Sequence, residues 1–339
     1  MNKNKLKVIS LFSGYGTQEL ALKYIGVDYE VIANCDILKP ANECYNVLHE
    51  TKNGNLGDIK KVNEDGFPQC DLLTYSYPCQ DISISGKQEG IKEGTRSGLL
   101  FDVERIVATN KPKYLLMENV KNLISQKHMG SFKNHINFLS ELGYTSYWRL
   151  LNGADFGCPQ NRERVFMISV LNGDEEDVKQ KMLNVDNYKK QRVPMRPYIE
   201  KNFNEGLLIE CDYTPHEPKQ NSICRLIARR NDVNYDQARR IYSIDGCSPC
   251  LTTSGSPQIM TEDGRVRNIT AREGYRFMGV RDEDIDLLLT TSLSNTAHIA
   301  LAGNSICVPV MEAIFIEFFT DYITEETLLS NPINQTTND

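Results

Sequence analysis

No run of apolar residues reaches the roughly 20 needed to cross a bilayer. The opening MNKNKLKVISLFSG has neither the long apolar segment nor the small-residue cleavage site of a signal peptide. A membrane or secreted protein is therefore not expected, and the reading is of a cytoplasmic one. A complete metal-ligand set is missing as well. Ten cysteines are scattered over 339 residues, Cys247 and Cys250 form a single CxxC, and no second pair or nearby histidine completes a zinc site. Reduced thiols and no metal are expected. Positive charge is not in excess, since 38 Lys and Arg stand against 45 Asp and Glu for a net charge of −7. That average disfavours a phosphate-binding surface all over the protein, but the distribution of charge decides. Internal repeats and low-complexity segments are absent too. What is present, 40% hydrophobic and 24% charged residues, suits a soluble globular chain of one large domain, or one plus a smaller.

Apolar runs alternate with helix-spaced stretches through the first half of the chain. Residues 6–12, LKVISLF, read as a buried strand, Ser13-Gly14-Tyr15-Gly16 as a turn, and QELALKYIG as a helix ended by Gly26. YEVIANCD, DLLTY, KYLLMEN and RVFMISV read as further strands. This rhythm predicts an α/β fold with a mostly parallel sheet covered by helices on both faces. Ligands of such sheets collect at the carboxyl ends of the strands, where Gly14, Asp36, Asp58, Pro78-Cys79 and Glu118 all fall. After about residue 171 the texture turns polar and irregular. Between 219 and 276, ten basic residues stand against six acidic ones. That suits a phosphate-contacting face and equally a solvated helix surface.

Taken singly, the candidate site residues each have two readings. The Gly14/Gly16 turn allows close backbone approach to a cofactor or is simply tight, and the missing third glycine disfavours a pyrophosphate cradle. Asp36 can accept from ribose hydroxyls or cap a helix. Cys79, after Pro78, is an exposed nucleophile under a loop or a buried structural thiol. Glu118, directly after an apolar strand, is a catalytic acid or a cap. Arg162 and Arg164, in QNRER, are paired guanidinium groups or surface ion pairs.

Their order changes the balance. FSGYG, PCQ, ENV, QNRER and GNS, with TRSGLLFDVERIV and RNITAREGYRFMGV between them, resemble the ordered blocks of the DNA (cytosine-5) methyltransferase family of bacterial and phage type, from residue 8 to about 310. Only about 172–262 lacks close family pattern, as a target-recognition region does. The resemblance implies a Rossmann-like S-adenosylmethionine-dependent methyltransferase sheet sandwich, formed by 1–171 and 296–330. A smaller target-recognition domain, 172–295, would face it across a DNA cleft, and 331–339 would be a flexible tail.

It also implies roles. Cys79 matches the nucleophile that adds to cytosine C6. Glu118 matches the acid that holds N3 and the exocyclic amine. Arg164, with Arg162, would orient the base and offset charge near the thiolate. S-adenosylmethionine, leaving as S-adenosylhomocysteine, would lie against Phe12, Ser13, Gly14 and Gly16, with Asp36 on the ribose, Ile37 against adenine, and Asp58 and Ile59 along its edge. Pro78, Leu99 and Asn304 would complete the pocket. The target cytosine of duplex DNA would be flipped out beneath the loop of residues 80–98, which carries Ser83 and Ser85. A monomer is expected, in a restriction–modification or phage setting, with a cognate restriction endonuclease acting separately. Asp36 replaces the family's usual Glu, Ile37 a larger apolar residue, and Cys250-Leu251 the common Thr-Leu. A tRNA cytosine-5 methyltransferase on the same scaffold is the nearer alternative, disfavoured by the long recognition region, and a non-catalytic DNA-binding relative is the other.

Overall fold

The computed structural model describes residues 5–78, 97–253 and 255–323. These fall into two compact units. The first holds the described residues of Met1–Leu151, Glu163–Tyr188 and Met311–Asp339, and the second holds those of Asn152–Arg162 and Lys189–Val310.

In the first unit β1 (Leu6–Leu11), β2 (Tyr29–Cys35), β3 (Leu72–Tyr75), β4 (Tyr114–Val120), β5 (Tyr144–Asn152) and β6 (Glu163–Leu171) form one sheet in the order β2-β1-β3-β4-β6-β5. α1 (Thr17–Tyr24), α2 (Lys39–Leu48), α3 (Leu100–Asn110), α4 (Met129–Glu141) and α5 (Glu175–Asn184) connect and follow the strands. β1 pairs in parallel with β2 on one side and β3 on the other, and β3 with β4, while β6 runs antiparallel to β4. Parallel strands are covered on both faces, which is why LKVISL and LLTY are nearly continuous apolar runs and are almost wholly buried. β5 has no such run. Seven of its nine residues are only partly buried at the sheet edge, so its pattern gives no strand signal.

The register fixes a common level across the sheet: Cys35 pairs with Leu11, Leu11 with Tyr75, and Tyr75 with Met117. The chain passes from β1 to β2 on one side, and the next connection returns from β2 past β1 to β3 on the other. Such a reversal opens a crevice beyond the carboxyl ends of the strands. Beneath it, Ile9, Leu11, Leu73 and Met117 pack with Val103 and Ile106 of α3 and Phe132 of α4.

The second unit contains β7 (Tyr213–Pro215), β8 (Leu226–Arg230), α6 (Asp236–Arg239), β9 (Arg240–Ser243), β10 (Gln258–Met260), β11 (Val266–Asn268), α7 (Ala271–Phe277), α8 (Asp282–Leu288) and α9 (Asn295–Asn304). α10 (Val308–Phe319) begins in this unit and runs into the first. The strands make a five-stranded sheet, β11-β10-β9-β8-β7. α7 opens with a capping box: Thr270 accepts from the Glu273 amide, and Glu273 accepts from the Thr270 amide at 2.8 Å. The same Glu273 carboxylate takes two bonds from Arg267, at 2.6 and 2.8 Å, with both side chains fully buried. The guanidinium lies 4.4 Å over the Phe203 ring.

The unit limits differ from the ranges expected at 171 and 295. Residues 172–188 stay with the first unit because Arg149 bonds the Met182 carbonyl and Asp186, while Glu317 accepts from Asn184 and Tyr188. Residues 152–162 join the second, where Gln160 donates to the Phe277 carbonyl and accepts from the Leu251 amide. Residues 296–310 join it too, Val308 donating to the Met278 carbonyl. Asn295–Tyr322 is long and apolar enough to cross a membrane, yet 72% of its most apolar window is buried inside the protein, as in a core helix.

The Arg267–Glu273 pair generates a prediction. Glu273→Ala removes one partner of a buried ion pair and a helix cap together, and should lower unfolding free energy by about 3–5 kcal/mol, read by urea denaturation. A loss under about 1 kcal/mol would show that the pair is dispensable.

Candidate active site

The end of β1 is shaped by its backbone. Phe12 is left-handed at φ 55°, as are Gly14 at 58° and Gly16 at 83°. At Gly16 the requirement is double, because a Cβ there would strike the His49 ring. His49 in turn lies 3.2 Å from the Tyr15 carbonyl, bracing the turn from behind. Ser13 is buried, its amide donating to the Cys35 carbonyl at 3.2 Å and its hydroxyl accepting from Asn34 at 3.1 Å. The turn is thus stitched to β2.

Asp36, one residue beyond β2, closes the same seam. Its carboxylate accepts from the Gly14 amide at 2.9 Å and the Leu38 amide at 2.8 Å, while Asn55 and Asn42 donate to its carbonyl. Burial raises its pKa, and the amides of Leu38, Gly14 and Ile37 pull it back down. Two fixed amides leave further carboxylate lone pairs for a ligand hydroxyl. Ile37 and Leu38 beside it are 68% and 47% exposed, an apolar surface standing in the open at the crevice.

Asp58 accepts from the Lys60 amide at 3.1 Å and so caps a short 3-10 turn, Ile59–Lys61. Ile59 is 3% exposed and packed in the core, so only its backbone can face a ligand. Arg105 of α3 straps this segment down. It donates to the Ile59 carbonyl at 3.2 Å and the Val62 carbonyl at 2.8 Å, and it pairs with Glu64. Leu99, just before α3, packs partly buried against the core. A set of backbone amides, a fixed carboxylate and exposed aliphatic surface fits a nucleoside ligand that carries no phosphate.

Glu118 and Arg164 meet across β4 and β6. Glu118 stands opposite Phe166 and Arg164 opposite Val120, so the two are diagonal neighbours on one face, within reach of long side chains. Arg164 Nε lies 3.2 Å from Glu118 Oε1, and Glu118 is only 7% exposed. Asn119, which the sequence reading passed over, donates to the Tyr77 carbonyl at 3.2 Å. It therefore holds the backbone two residues before position 79. Its only sequence signal is its place after Glu118. Cys79 itself, Ser83 and Ser85 lie outside the described residues; Pro78 is the last described before them.

Arg162 and Asn304 belong to the second unit. The Arg162 guanidinium donates to Cys250 Sγ at 3.2 Å and to the carbonyls of Leu251, Gly303 and Ser305 at 3.1, 2.9 and 2.6 Å. It ties residues 250–251 to 303–305, a different setting from that of Arg164. Gly303 is needed at this junction, since a Cβ would come within 2.6 Å of the Thr252 backbone. Asn304 ends α9 and is exposed.

The basic stretch of 219–276 also looks different folded. Arg229 and Arg240 share Asp236, Arg230 holds Asp232, and Arg265 holds Asp263. Arg272 and Arg276 reach Asp282, which lies outside the stretch. Much of the local positive charge is therefore spent on internal pairs.

A family model described as C-5 cytosine-specific DNA methylase matches residues 6–320. Type II methyltransferase M2.ScrFI of Lactococcus lactis subsp. cremoris is 32% identical over 370 residues, 93% of this chain and 99% of its own. Type II methyltransferase M.HhaI of Haemophilus parahaemolyticus is 31% identical over 335 residues, 91% and 93% of the two chains. Among solved structures, the S. pombe Dnmt2 methyltransferase shares the fold with a TM-score of 0.69 at 21% identity, over 92% of this chain and 97% of that one.

Two thiols with raised pKa generate a prediction. Burial, with the charges of Asp36 and Asp58, pushes Cys35 up to about 12, and burial pushes Cys224 to about 12. Both stay protonated through the alkaline range, so iodoacetamide at about pH 8 should leave them unlabelled in the folded protein. Peptide mass spectrometry reads this; rapid labelling of Cys35 would refute the burial.

Proposed function

The chain belongs to the C-5 cytosine-specific DNA methylase family and is a DNA cytosine-5 methyltransferase, and from that premise we propose how its residues divide the reaction. The observation that carries the proposal is the Glu118–Arg164 pair, nearly buried at the carboxyl edge of the sheet, one strand from the segment that leads to Cys79. Cytosine C5 is a poor nucleophile. The Cys79 thiolate adds to C6, forming a carbon–sulfur bond and moving an electron pair into the ring toward C5 and N3. Glu118, in its acid form, donates its proton to N3 and accepts from the exocyclic amine as that charge develops, and Arg164 fixes the Glu118 side chain in place. S-adenosylmethionine, when bound, supplies an electrophilic methyl group for C5. Loss of the C5 proton to a base, with water the candidate, then expels the Cys79 thiolate and restores the ring.

The donor is proposed to lie along Phe12, Ser13, the Gly14/Gly16 turn, Asp36, Ile37, Asp58, the Ile59 backbone, Pro78 and Leu99; Asn304 is proposed from the family resemblance alone. The observations in support are the fixed Asp36 carboxylate, the exposed Ile37 and the Arg105 strap. Arg162 acts at one remove, by holding 250–251 to the segment that carries Asn304. Reaching C6 requires the cytosine to leave the duplex, so base flipping belongs to the proposal. The irregular part of the second unit, most of 172–295, is proposed to read the DNA. A monomeric, cytoplasmic enzyme is proposed; type II methyltransferases among its relatives suit a separately acting restriction endonuclease, and orphan methyltransferases among them suit an enzyme without one.

The test is transfer of tritiated methyl from S-adenosylmethionine to duplex DNA and, in parallel, to bulk tRNA. Counts should appear in DNA as 5-methylcytosine and vanish in Cys79→Ala, while Glu118→Gln should lose about 10²–10³ in rate with its fold intact. Counts in tRNA alone would overturn the substrate, and an active Cys79→Ala would overturn the nucleophile. Asp36→Ala should weaken S-adenosylmethionine binding about tenfold by calorimetry, the loss of a charge-assisted hydrogen bond. Unchanged affinity would remove Asp36 from the ribose.

A further inference from the structure

β2 is the edge strand of its sheet, and the chain comes back alongside it as an extended segment. Lys52 and Asn53 donate to the Val31 and Ile32 carbonyls at 3.0 and 2.8 Å, Asn34 donates to the Gly54 carbonyl at 3.2 Å, and Leu56 donates to the Asn34 carbonyl at 2.7 Å. One residue past the end of β2, at Asp36, a side chain takes over from the backbone. Asn55 Oδ1 accepts from the Asp36 amide at 3.0 Å, and Asn55 Nδ2 donates to the Asp36 carbonyl at 2.8 Å. A carboxamide offers the same donor and acceptor as a peptide group, so Asn55 holds Asp36 as a neighbouring strand holds a residue inside a sheet. With both main-chain groups fixed by one planar side chain, the direction in which the Asp36 carboxylate leaves the chain is fixed too.

The same Oδ1 has a second lone pair and takes a bond from the Gly57 amide at 3.0 Å. Gly57 is left-handed at φ 74°, its carbonyl accepts from the Cys35 thiol at 3.1 Å, and Asp58 follows it directly. One carboxamide thus joins Asp36 to the turn that presents Asp58. Asn42 cannot stand in for it. The Asn42 Nδ2 adds a second donor to the Asp36 carbonyl at 3.0 Å, but its Oδ1 has no partner and so holds neither amide. Asn55 is exposed and adds little to the core, whereas its bonds converge on the two carboxylates proposed to line the ribose and the adenine.

We propose that Asn55 is a positioning residue for S-adenosylmethionine, acting through Asp36 and Asp58 without touching the ligand. The inference rests on the methyltransferase reading and adds to it the group that holds the ribose and adenine sides of the pocket at one spacing. A carboxylate that is already fixed loses little freedom when it binds a ligand hydroxyl, so loss of the clamp lowers affinity while Cys79 and Glu118 keep their roles.

The experiment is calorimetric binding of S-adenosylhomocysteine to the full chain. It compares wild type, Asn55→Ala, Asp36→Ala and the double variant, with Asn53→Ala as a neighbouring control and thermal melting to follow the fold. Asn55→Ala should bind about tenfold more weakly. In methyl transfer to duplex DNA the loss should fall on KM for S-adenosylmethionine and not on kcat at saturating cofactor. Because Asn55 acts mainly through Asp36, its removal should cost less than about threefold once Asp36 is already alanine, the remainder passing through Asp58. Asn53→Ala should bind as wild type does. If Asn55→Ala melts below the binding temperature, Asn55→Asp carries the test: it keeps the size and both accepted bonds, lacks the donor, and should weaken binding several-fold. Wild-type affinity in the folded Asn55 variants, equal weakening by Asn53→Ala, or a loss that multiplies fully with that of Asp36→Ala would overturn the clamp. A wild type that binds no S-adenosylhomocysteine would instead bring down the cofactor reading, and the clamp with it.

Discussion

Parallel alignment of β1 to β4 is the constraint on which the rest of the site depends. Because the four strands run the same way and share one register level through Cys35, Leu11, Tyr75 and Met117, everything just beyond that level arrives at one edge. Phe12 and the glycine turn follow β1, Asp36 follows β2, Tyr77 and Pro78 follow β3, and Glu118 stands one residue past Met117 on β4. An antiparallel arrangement would have sent alternate candidates to opposite edges. β6 is antiparallel to β4, and this delivers Arg164 from the reverse direction, so that its guanidinium meets Glu118. Sheet order thus supplies both halves of the ion pair.

Several side chains serve this edge without belonging to the chemistry. Asn119 holds the Tyr77 carbonyl, Arg105 holds the carbonyls of Ile59 and Val62, and His49 backs the glycine turn. Arg162 does the same in the second unit by gathering three carbonyls and a thiol. In each case a polar group spans two chain segments that carry candidate residues, so its removal would move those residues while leaving their identity unchanged. Sites need this second layer, because an error of about 1 Å in placement costs rate even when every reacting group is present.

Charge in the second unit follows the same economy. The arginines of 219–276 look like a phosphate-binding face when counted along the chain, but folding hands many of them to Asp232, Asp236, Asp263 and Asp282. A net count along a sequence measures composition, whereas the field at a surface depends on which charges remain unpaired.

Much of this protein is legible in its sequence, for physical reasons. Strands buried on both faces demand continuous apolar runs, so β1, β3, β4 and the antiparallel β6 stand out. Left-handed turns favour glycine, so Gly14 and Gly16 do too. The order of FSGYG, PCQ, ENV and QNRER carries the family. Tertiary structure decided what no local pattern encodes. β5, partly exposed at an edge, has no apolar run to betray it. Ile59 turns its side chain into the core. Arg162 and Arg164, two residues apart, end on different partners because one precedes β6 and the other lies within it. The unit limits fall at 152, 163 and 189 because Arg149, Gln160 and Glu317 find their partners far along the chain. Residue type and spacing determine which chemistry is possible; only long-range packing determines which groups meet to carry it out.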